Sequence, residues 1–151
     1  MIAPLSNSRP AQILLVEDNA GDVELTREAF KKSEVAVNLH HAKDGEQCMA
    51  FIRKQGQYHN APTPDIILLD LNMPRMDGRE VLAEISKDPI LRLLPVVILT
   101  TSHEEQEILN MYRLRCSSYI VKPVDLDQFY RIIKTFSEYW LTVVALPTAA
   151  K

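Results

Sequence analysis

The sequence predicts an α/β fold in which five parallel strands form a doubly wound (βα)5 sheet. Short apolar runs alternate five times with stretches whose apolar residues recur at helical spacing. Several of the runs are apolar throughout, which is typical of strands covered on both faces. The length of 151 residues fits one domain, and 46% apolar with 25% charged residues is the composition of a folded globular chain.

The predicted strands and helices follow one another in a regular order along the chain. The five apolar runs are Ile13–Val16, Val37–His41, Ile66–Leu69, Val96–Leu99 and Tyr119–Val121. Helical spacing follows each run, for example at Leu25, Ala29 and Phe30; at Met49 and Ile52; at Val81, Leu82 and Ile85; at Ile108, Met111 and Tyr112; and at Phe129, Ile133, Phe136 and Trp140. This order predicts right-handed crossovers with helices on both faces of the sheet.

Four of the five expected helix starts carry a capping pair, in which a short oxygen-bearing side chain precedes Glu or Gln by three residues. The pairs are Asp44/Gln47, Asp77/Glu80, Ser102/Glu105 and Asp125/Gln128. Each pair is able to satisfy backbone N–H groups that have no partner at a helix start. Their positions after successive apolar runs favour the alternating βα order.

Polar and charged residues stand where four of the predicted strands end. Glu17 and Asp18 follow the first strand, Asp70 the third, Thr100 the fourth and Lys122 the fifth. In a sheet of strand order 2-1-3-4-5 these strands are consecutive neighbours, so their carboxyl ends open on one crevice. We therefore expect these side chains to form one site.

The acidic residues of this site require a positive charge nearby, because two carboxylates about 4 Å apart near a surface repel by roughly 4 kcal/mol. Lys122 supplies one charge, and the remainder suits a hard divalent cation, Mg²⁺ rather than Ca²⁺, with oxygen ligands and water. Asp70 beside a metal, a hydroxyl and an ammonium is a suitable phosphoryl acceptor, and the backbone carbonyl of Asn72 is positioned to face the metal. Alternatively, Glu17 and Asp18 merely begin a helix and Asp70 caps a turn, which explains each residue but not their joint occurrence.

The segments that carry these residues resemble the signature of two-component response-regulator receiver domains. They are Leu15-Val16-Glu17-Asp18-Asn19, Leu69-Asp70-Leu71-Asn72-Met73-Pro74-Arg75-Met76-Asp77-Gly78, Pro95-Val96-Val97-Ile98-Leu99-Thr100 and Tyr119-Ile120-Val121-Lys122-Pro123. The resemblance implies a flavodoxin-like fold and a cis peptide before Pro123. We expect an N-terminal extension at residues 1–10, the receiver domain at 11–137 and an apolar C-terminal extension at 138–151. Only 17 residues follow Lys134, which predicts a stand-alone receiver.

The resemblance also assigns roles to the site residues. Asp70 takes the phosphoryl group from a histidine kinase; Glu17, Asp18, Asp70 and the carbonyl of Asn72 hold Mg²⁺, with Mn²⁺ as an alternative. Thr100 and Lys122 bind phosphoryl oxygens, and Thr100 and Tyr119 form the switch that repacks the face made by the fourth helix, fifth strand and fifth helix. Ser102 either tunes hydrolysis of the acyl phosphate or caps the fourth helix, and the sequence leaves both interpretations open. Such a protein is a phosphoacceptor that catalyses its own modification, not an enzyme acting on a separate substrate.

The C-terminal segment is unusually apolar. Ile132, Tyr139 and Val143 recur on a second side of the last helix, next to Trp140, which has the spacing of the core face. A helix that is apolar on two sides usually buries both, which predicts a homodimer through these four residues, the alternative being a tail that folds back on its own domain. The segment Tyr139–Pro147 and Asn19-Ala20-Gly21-Asp22 resemble receivers paired with phytochromes, which implies a red-light-sensing histidine kinase as donor.

Composition and motifs argue against other classes of protein. A net charge of −3 provides no basic surface for nucleic acid, and the apolar runs are too short to span a bilayer. Cys48 and Cys116 form no disulfide framework or metal spacing, which favours free thiols in the cytoplasm.

A flavin carrier needs a hydroxyl- and Gly-rich phosphate loop where Glu17 and Asp18 stand, and a haloacid-dehalogenase-like phosphatase needs an Asp-x-Asp pattern. A pseudo-receiver would lack Asp70, Lys122 or an acid of the pair.

Overall fold

The predicted parallel sheet is present, in a computed structural model that describes residues 9–147 apart from the side chain of Val143. Its five parallel strands lie in the order β2-β1-β3-β4-β5, as predicted. The strands are β1 Ala11–Val16, β2 Val37–Ala42, β3 Ile66–Leu69, β4 Val96–Thr100 and β5 Ser118–Val121. Strands β2 and β5 therefore form the edges of the sheet, and β1, β3 and β4 are central.

Five α-helices alternate with the strands, which confirms the predicted order. They are α1 Ala20–Lys32, α2 Gly45–Ile52, α3 Gly78–Lys87, α4 Glu105–Arg113 and α5 Leu126–Glu138. A π-helical turn, Tyr139–Val143, continues α5. Within residues 9–147 no helix combines the length and the apolar character needed to cross a membrane.

Helices cover both faces of the sheet, and the side chains of β1 show how. Ile13 and Leu15 point into a core shared with α1 and α5, whereas Leu14 and Val16 point into a second core shared with α2 and α3. Successive strand residues face opposite sides of a sheet, so a strand covered on both faces is apolar at every position. This explains the continuous apolar runs of β3 and β4, which are fully buried, and the half-buried residues of β5 at the edge.

One of the four predicted capping pairs is reciprocal, and in a second the aspartate alone caps the helix. The carboxylate of Asp44 accepts a hydrogen bond from the backbone N–H of Gln47 at 2.8 Å. Asp77 and Glu80 form the reciprocal capping box. Asp125 occupies the cap position of α5, but its side chain makes no capping hydrogen bond. These bonds fix where α2 and α3 begin relative to the carboxyl ends of the strands.

The prediction that Ser102 caps α4 is wrong. Strand β4 continues through Thr100 and an irregular segment follows, so α4 begins only at Glu105, with Glu104 in the cap position. The carbonyl of Ser102 instead accepts a hydrogen bond from the hydroxyl of Tyr119 at 2.9 Å. The peptide bond before Pro123 is trans, so the cis bond implied by the family resemblance is also absent.

The C-terminal extension packs partly against its own domain. The N–H of Val144 donates to the carbonyl of Tyr139, five residues earlier, and this wider turn changes the helical register. As a result Leu141 is fully buried in the core shared by α1 and α5, while Trp140, predicted to lie on the core face, is only half-buried. Leu146 returns to the same core. The ends of both predicted extensions, residues 1–8 and 148–151, lie outside the described residues.

An ion pair between half-buried Arg9 and buried Asp65 holds residue 9 to the edge of the fold opposite the predicted site. The guanidinium of Arg9 donates to both carboxylate oxygens of Asp65, at 2.8 and 2.9 Å. Asp65 also accepts a hydrogen bond from the N–H of Gln12 at 2.7 Å and is 2% exposed. A buried carboxylate is costly when it loses a charged partner.

We therefore expect Arg9→Ala to lower the free energy of unfolding by about 1–3 kcal/mol, the cost of removing a charged partner from a buried group. Arg53→Ala is the matched control, since Arg53 pairs at 3.6 Å with Glu84 and both side chains are partly exposed. Such exposed pairs contribute about 0–1 kcal/mol. Urea unfolding of both variants measures the difference, and equal losses would contradict the assigned role of Arg9.

Candidate functional site

Three carboxylates meet at the carboxyl ends of β1 and β3. One oxygen from each of Glu17, Asp18 and Asp70 lies within 4.8 Å of the others. Glu17 is 3% exposed and Asp70 is 8% exposed, whereas Asp18 is exposed to solvent. β1 and β3 are hydrogen-bonded neighbours whose paired residues include Val16 and Leu69, so the residues that follow each strand necessarily lie side by side. The predicted convergence of the three acids is therefore present.

Burial makes the ionised state of this cluster unfavourable. Desolvation raises the pKa of Asp70 above its ordinary value, and this effect outweighs the attraction of Lys122 and a hydrogen bond with Thr100. Desolvation also raises the pKa of Glu17, against the opposing effect of Lys122, and the charge of Asp70 adds to the increase. Two buried acids close together thus favour either a bound proton or a cation in addition to the lysine.

Lys122 lies among the acids, as predicted. Its ammonium donates to Glu17 Oε1 at 2.5 Å and to Asp22 Oδ2 at 3.4 Å. Burial disfavours the ammonium, but the hydrogen bond to Glu17 and the charges of Glu17, Asp70 and Asp22 raise its pKa above the ordinary lysine value. Lys122 is therefore a fixed positive charge that reaches the acidic cluster from β5.

The sequence analysis did not assign Asp22 to the site. It lies in the first turn of α1, where its backbone N–H donates to Asn19 Oδ1 at 2.9 Å. The sequence does contain a possible helix cap, Asn19, followed three residues later by the acid Asp22. A capping box has Glu or Gln at that later position, so the pattern was not recognised. The cap on α1 is what brings the Asp22 carboxylate to Lys122.

Thr100 and Tyr119 connect the site to α4. Thr100 is fully buried at the end of β4, and its hydrogen bond with Asp70 lowers the pKa of that carboxyl against the larger effect of burial. Tyr119 is half-buried on β5, and its hydroxyl holds the carbonyl of Ser102 in the segment that leads to α4. The two predicted switch residues thus lie on adjacent strands, and both adjoin the segment between β4 and α4.

The loop after β3 approaches Asp70 through a glycine. The N–H of Gly78 donates to the carbonyl of Leu71 at 3.1 Å. A Cβ atom on Gly78 would lie 2.2 Å from the carbonyl oxygen of Asp70, which no side chain tolerates. Asn72 is exposed in this loop and lines, together with Asp18, an open cavity of about 320 Å³. The cavity gives solvent and small anions access to the exposed acid of the cluster.

An ion pair that the sequence analysis did not identify ties this loop to α4. The guanidinium of Arg79 donates to Leu71 O at 3.3 Å, to Asn72 Oδ1 at 3.5 Å and, through Nε at 2.9 Å, to Glu107. A second bond joins Arg79 Nη2 to Glu107. No local pattern signals a pair separated by 28 positions on two different helices. Arg79 therefore connects the proposed metal-binding loop to α4 by a second route, apart from Tyr119.

The donor set of the cluster fits a hard divalent cation. Three carboxylates supply oxygen ligands, one acid is exposed to solvent, and histidine and cysteine are absent from the ligand group. Such sites suit ions that keep part of their water shell, and a divalent charge offsets the repulsion between Glu17 and Asp70. Glu17, Asp18 and Asp70 are the residues that would hold the ion.

A separate apolar groove lies on the outer side of α5. Ile132, Tyr139 and Trp140 line an open cavity of about 390 Å³ together with Ile120 of β5. Tyr139 is 55% exposed, and its ring meets Trp140 edge-on with the centroids 5.9 Å apart. Three of the four residues predicted for a dimer interface therefore share one surface, and the side chain of Val143 lies outside the described part of the structure.

Comparisons with known proteins agree with this geometry. The response regulator receiver domain family matches residues 13–134. Response regulator Rcp1 from Synechocystis sp. (strain ATCC 27184 / PCC 6803 / Kazusa) is 44% identical over 140 residues, which cover 93% of this chain and 95% of that protein.

Two solved structures extend the likeness to the fold. The phosphorylated cyanobacterial phytochrome response regulator RcpA is 46% identical, with a TM-score of 0.88 over 92% of this chain and 99% of that chain. The Mn²⁺-bound form of Rcp1 is 44% identical, with a TM-score of 0.87 over 92% of this chain and 100% of that chain. The metal in the second structure is consistent with the donor set of the acidic cluster.

The raised pKa of Asp70 predicts that the metal-free fold is stabilised by Asp70→Asn. The unfolded chain releases this proton at a lower pH than the folded chain, so stability is lost as pH rises from the unfolded to the folded pKa, and the ionised group is unfavourable at pH 7. We expect the melting temperature without metal to rise by about 2–4 °C, the shift that about 1 kcal/mol produces in a chain of this size.

Added Mg²⁺ should raise the melting temperature of the unchanged chain and raise that of Asp70→Asn much less, because a ligand stabilises only the fold that binds it. Asp127→Asn, at an exposed position on α5, is the control for the same chemical change and should leave the Mg²⁺ response intact. Thermal unfolding with chelator and with Mg²⁺ provides both values. A lower melting temperature for metal-free Asp70→Asn would contradict this account.

Proposed function

The chain belongs to the response-regulator receiver domain family, and from that membership we propose that Asp70 accepts a phosphoryl group from a sensor histidine kinase. The observation that carries the proposal is the position of Asp70. It is 8% exposed and clustered with two further acids, and both Thr100 and Lys122 favour its ionised form. A nucleophilic oxygen, charge-neutralising groups and a hydroxyl therefore lie within one crevice.

In the proposed reaction one carboxylate oxygen of Asp70 forms a bond to phosphorus while the P–N bond of a phosphohistidine breaks. The imidazole leaves with the bonding electron pair, and Asp70 neither gains nor loses a proton. During the transfer, negative charge spreads over the three equatorial phosphoryl oxygens, and the site must stabilise this charge. Lys122 and the Thr100 hydroxyl are placed to contact these oxygens, and this role for them is part of the proposal.

We assign the divalent ion as Mg²⁺, with Mn²⁺ as an alternative, held by Glu17, Asp18, Asp70 and the backbone carbonyl of Asn72. The bound ion supplies charge neutralisation at the phosphoryl oxygens. Support comes from the exposed acid and the adjoining cavity, which leave room for water ligands of the kind that Mg²⁺ retains.

The proposed donor is a phytochrome-type histidine kinase, which places the chain in the cytoplasm. Support comes from the likeness to RcpA, a cyanobacterial phytochrome response regulator that is 46% identical to this chain. A protein donor also needs a contact surface at the mouth of the site. Three apolar side chains are exposed there, beside Lys122, and they are Leu25, Val124 and Leu126.

We further propose that phosphorylation acts through α4. Only Met111 of this helix is fully buried, so α4 has little packing to resist a shift. Thr100 interacts with the carboxyl group of Asp70. Tyr119 holds the loop before α4 through its hydrogen bond to the carbonyl of Ser102. A phosphoryl group that draws Thr100 toward it favours a packing in which Tyr119 turns inward. This shift in population changes the surface formed by α4, β5 and α5.

That same surface is the proposed homodimer interface, through Ile132, Tyr139, Trp140 and Val143. The cavity beside α5 is open and lined by apolar side chains, which favours a protein partner. Burial of Leu141 and Leu146 in their own domain accounts for part of the apolar C-terminal segment, but it leaves Tyr139 exposed. A second copy of the chain would cover it.

The proposed phosphorylation has a direct test. Acetyl phosphate with Mg²⁺ should add one phosphoryl group to the chain, seen as a mass increase on the intact protein. Asp70→Asn should show no increase, because the nucleophile is lost, whereas Asp127→Asn should behave as the unchanged chain. Unchanged labelling of Asp70→Asn would overturn Asp70 as the acceptor.

The identity of the donor is tested by timed phosphotransfer. A phytochrome-type kinase should transfer its phosphoryl group to this chain faster than histidine kinases with unrelated sensors do at equal concentration. Equal rates with all donors would remove the phytochrome assignment while leaving Asp70 as the acceptor.

The proposed interface predicts that Ile132→Glu weakens self-association by at least tenfold, because a charge is then buried in an apolar contact. Ile90→Glu is the control, since Ile90 is exposed and lies between α3 and β4, outside the interface. Light scattering at tens of micromolar, with and without phosphorylation, measures the oligomer. A monomer in both states would rule out the dimer.

A further inference from the structure

We propose that Asp22 is a positioning residue that competes with the incoming phosphoryl group for the ammonium of Lys122. This inference rests on the proposed function, since it concerns the rate at which Asp70 is phosphorylated. In the structure Lys122 has two carboxylate partners, Glu17 and Asp22, before any phosphoryl group arrives. The ammonium has three N–H donors, and the attraction of these two carboxylates opposes its movement toward a new anion.

The two bonds to Lys122 differ in a way that identifies which one yields. The Glu17 contact is 2.5 Å and its side chain is 4% exposed. The Asp22 contact is 3.4 Å and its side chain is 43% exposed, so water is available to replace the lysine there. Half-exposed Asp22 would be solvated when the lysine leaves it, whereas the contact with Glu17 is shorter and closed to water. The bond to Asp22 is therefore the one exchanged for a phosphoryl oxygen.

The backbone of Asp22 is fixed, so its carboxylate remains near the lysine. Its N–H donates to Asn19 Oδ1 at 2.9 Å, and its carbonyl accepts a hydrogen bond from the Thr26 hydroxyl at 2.7 Å. Thr26 is itself buried on α1. Asp22 is thus held by the cap and first turn of a packed helix, and it acts as a constant competitor for Lys122.

Removing the charge of Asp22 should speed phosphorylation. When acetyl phosphate is the donor, an Asp70 oxygen bonds to phosphorus as the P–O bond to acetate breaks, and acetate leaves with the electron pair. The charge that spreads over the phosphoryl oxygens attracts the ammonium of Lys122. In Asp22→Asn the ammonium of Lys122 has no ion pair with residue 22 to lose when it contacts the phosphoryl group. The rate should therefore rise by about twofold to fivefold, which is the factor that the free energy of a half-exposed ion pair corresponds to.

The test compares initial phosphorylation rates at saturating Mg²⁺ for three variants of the full chain. Asp22→Asn should be faster than the unchanged chain, and Asp22→Glu, which keeps a carboxylate, should return toward its rate. Glu24→Gln is the matched control, because Glu24 is an exposed acid on the same helix that pairs with Arg27 at 3.7 Å. It should leave the rate unchanged. Equal rates for Asp22→Asn and the unchanged chain would overturn the proposal.

Two further measurements separate an effect through Lys122 from general repulsion of an anionic donor. In a Lys122→Met background Asp22→Asn should no longer raise the rate, and the same increase there would overturn the proposal. The ¹³Cε resonance of Lys122 in the unphosphorylated chain should shift in Asp22→Asn and not in Glu24→Gln, and an unmoved signal would show that the contact is absent. This second measurement does not depend on phosphorylation, so the resonance decides whether Asp22 holds Lys122 even if failure of the chain to accept phosphate rejects the proposed function.

Discussion

The structure depends on the enforced proximity of two buried acids, Glu17 and Asp70, at the ends of adjacent strands. Parallel pairing of β1 with β3 fixes their separation, and burial raises the pKa of both carboxyls. A fold that holds two acids in this way remains incompletely neutralised with Lys122 alone. The site therefore favours a divalent cation, and a carboxylate whose charge is balanced by metal and ammonium is prepared for phosphoryl transfer.

Two sets of contacts connect the surroundings of Asp70 to α4. One connection runs through Thr100 and the Tyr119–Ser102 hydrogen bond, and the other through Arg79 and its ion pair with Glu107. The first depends on strand ends, the second on a loop and two helices. Because α4 has a single fully buried residue, few packing contacts oppose a change in its position.

The C-terminal segment shows how a local change in helical geometry redistributes apolar side chains. A regular α-helix would direct Trp140 to the core, in register with Phe136, whereas the π-helical turn places Leu141 there. Trp140 instead joins Ile132 and Tyr139 beside the open groove. The sequence analysis left two interpretations of this segment, a homodimer interface and a tail that folds back on its own domain. Some of its apolar residues do fold back on the domain, and others form a surface suited to a partner.

Strand positions, the βα alternation and the convergence of Glu17, Asp18, Asp70, Thr100 and Lys122 could be predicted before the fold was known, because each depends on hydrophobic periodicity or on residues directly after a strand. Such signals are local and survive without knowledge of the packing. The strand order 2-1-3-4-5 was that of the doubly wound fold which the family resemblance implies. Tertiary structure alone decided the start of α4, the π-helical turn, the Arg79–Glu107 pair and the contact of Asp22 with Lys122. These features join residues far apart in the chain or balance competing hydrogen bonds, and only the packed helices determine which contact is within reach.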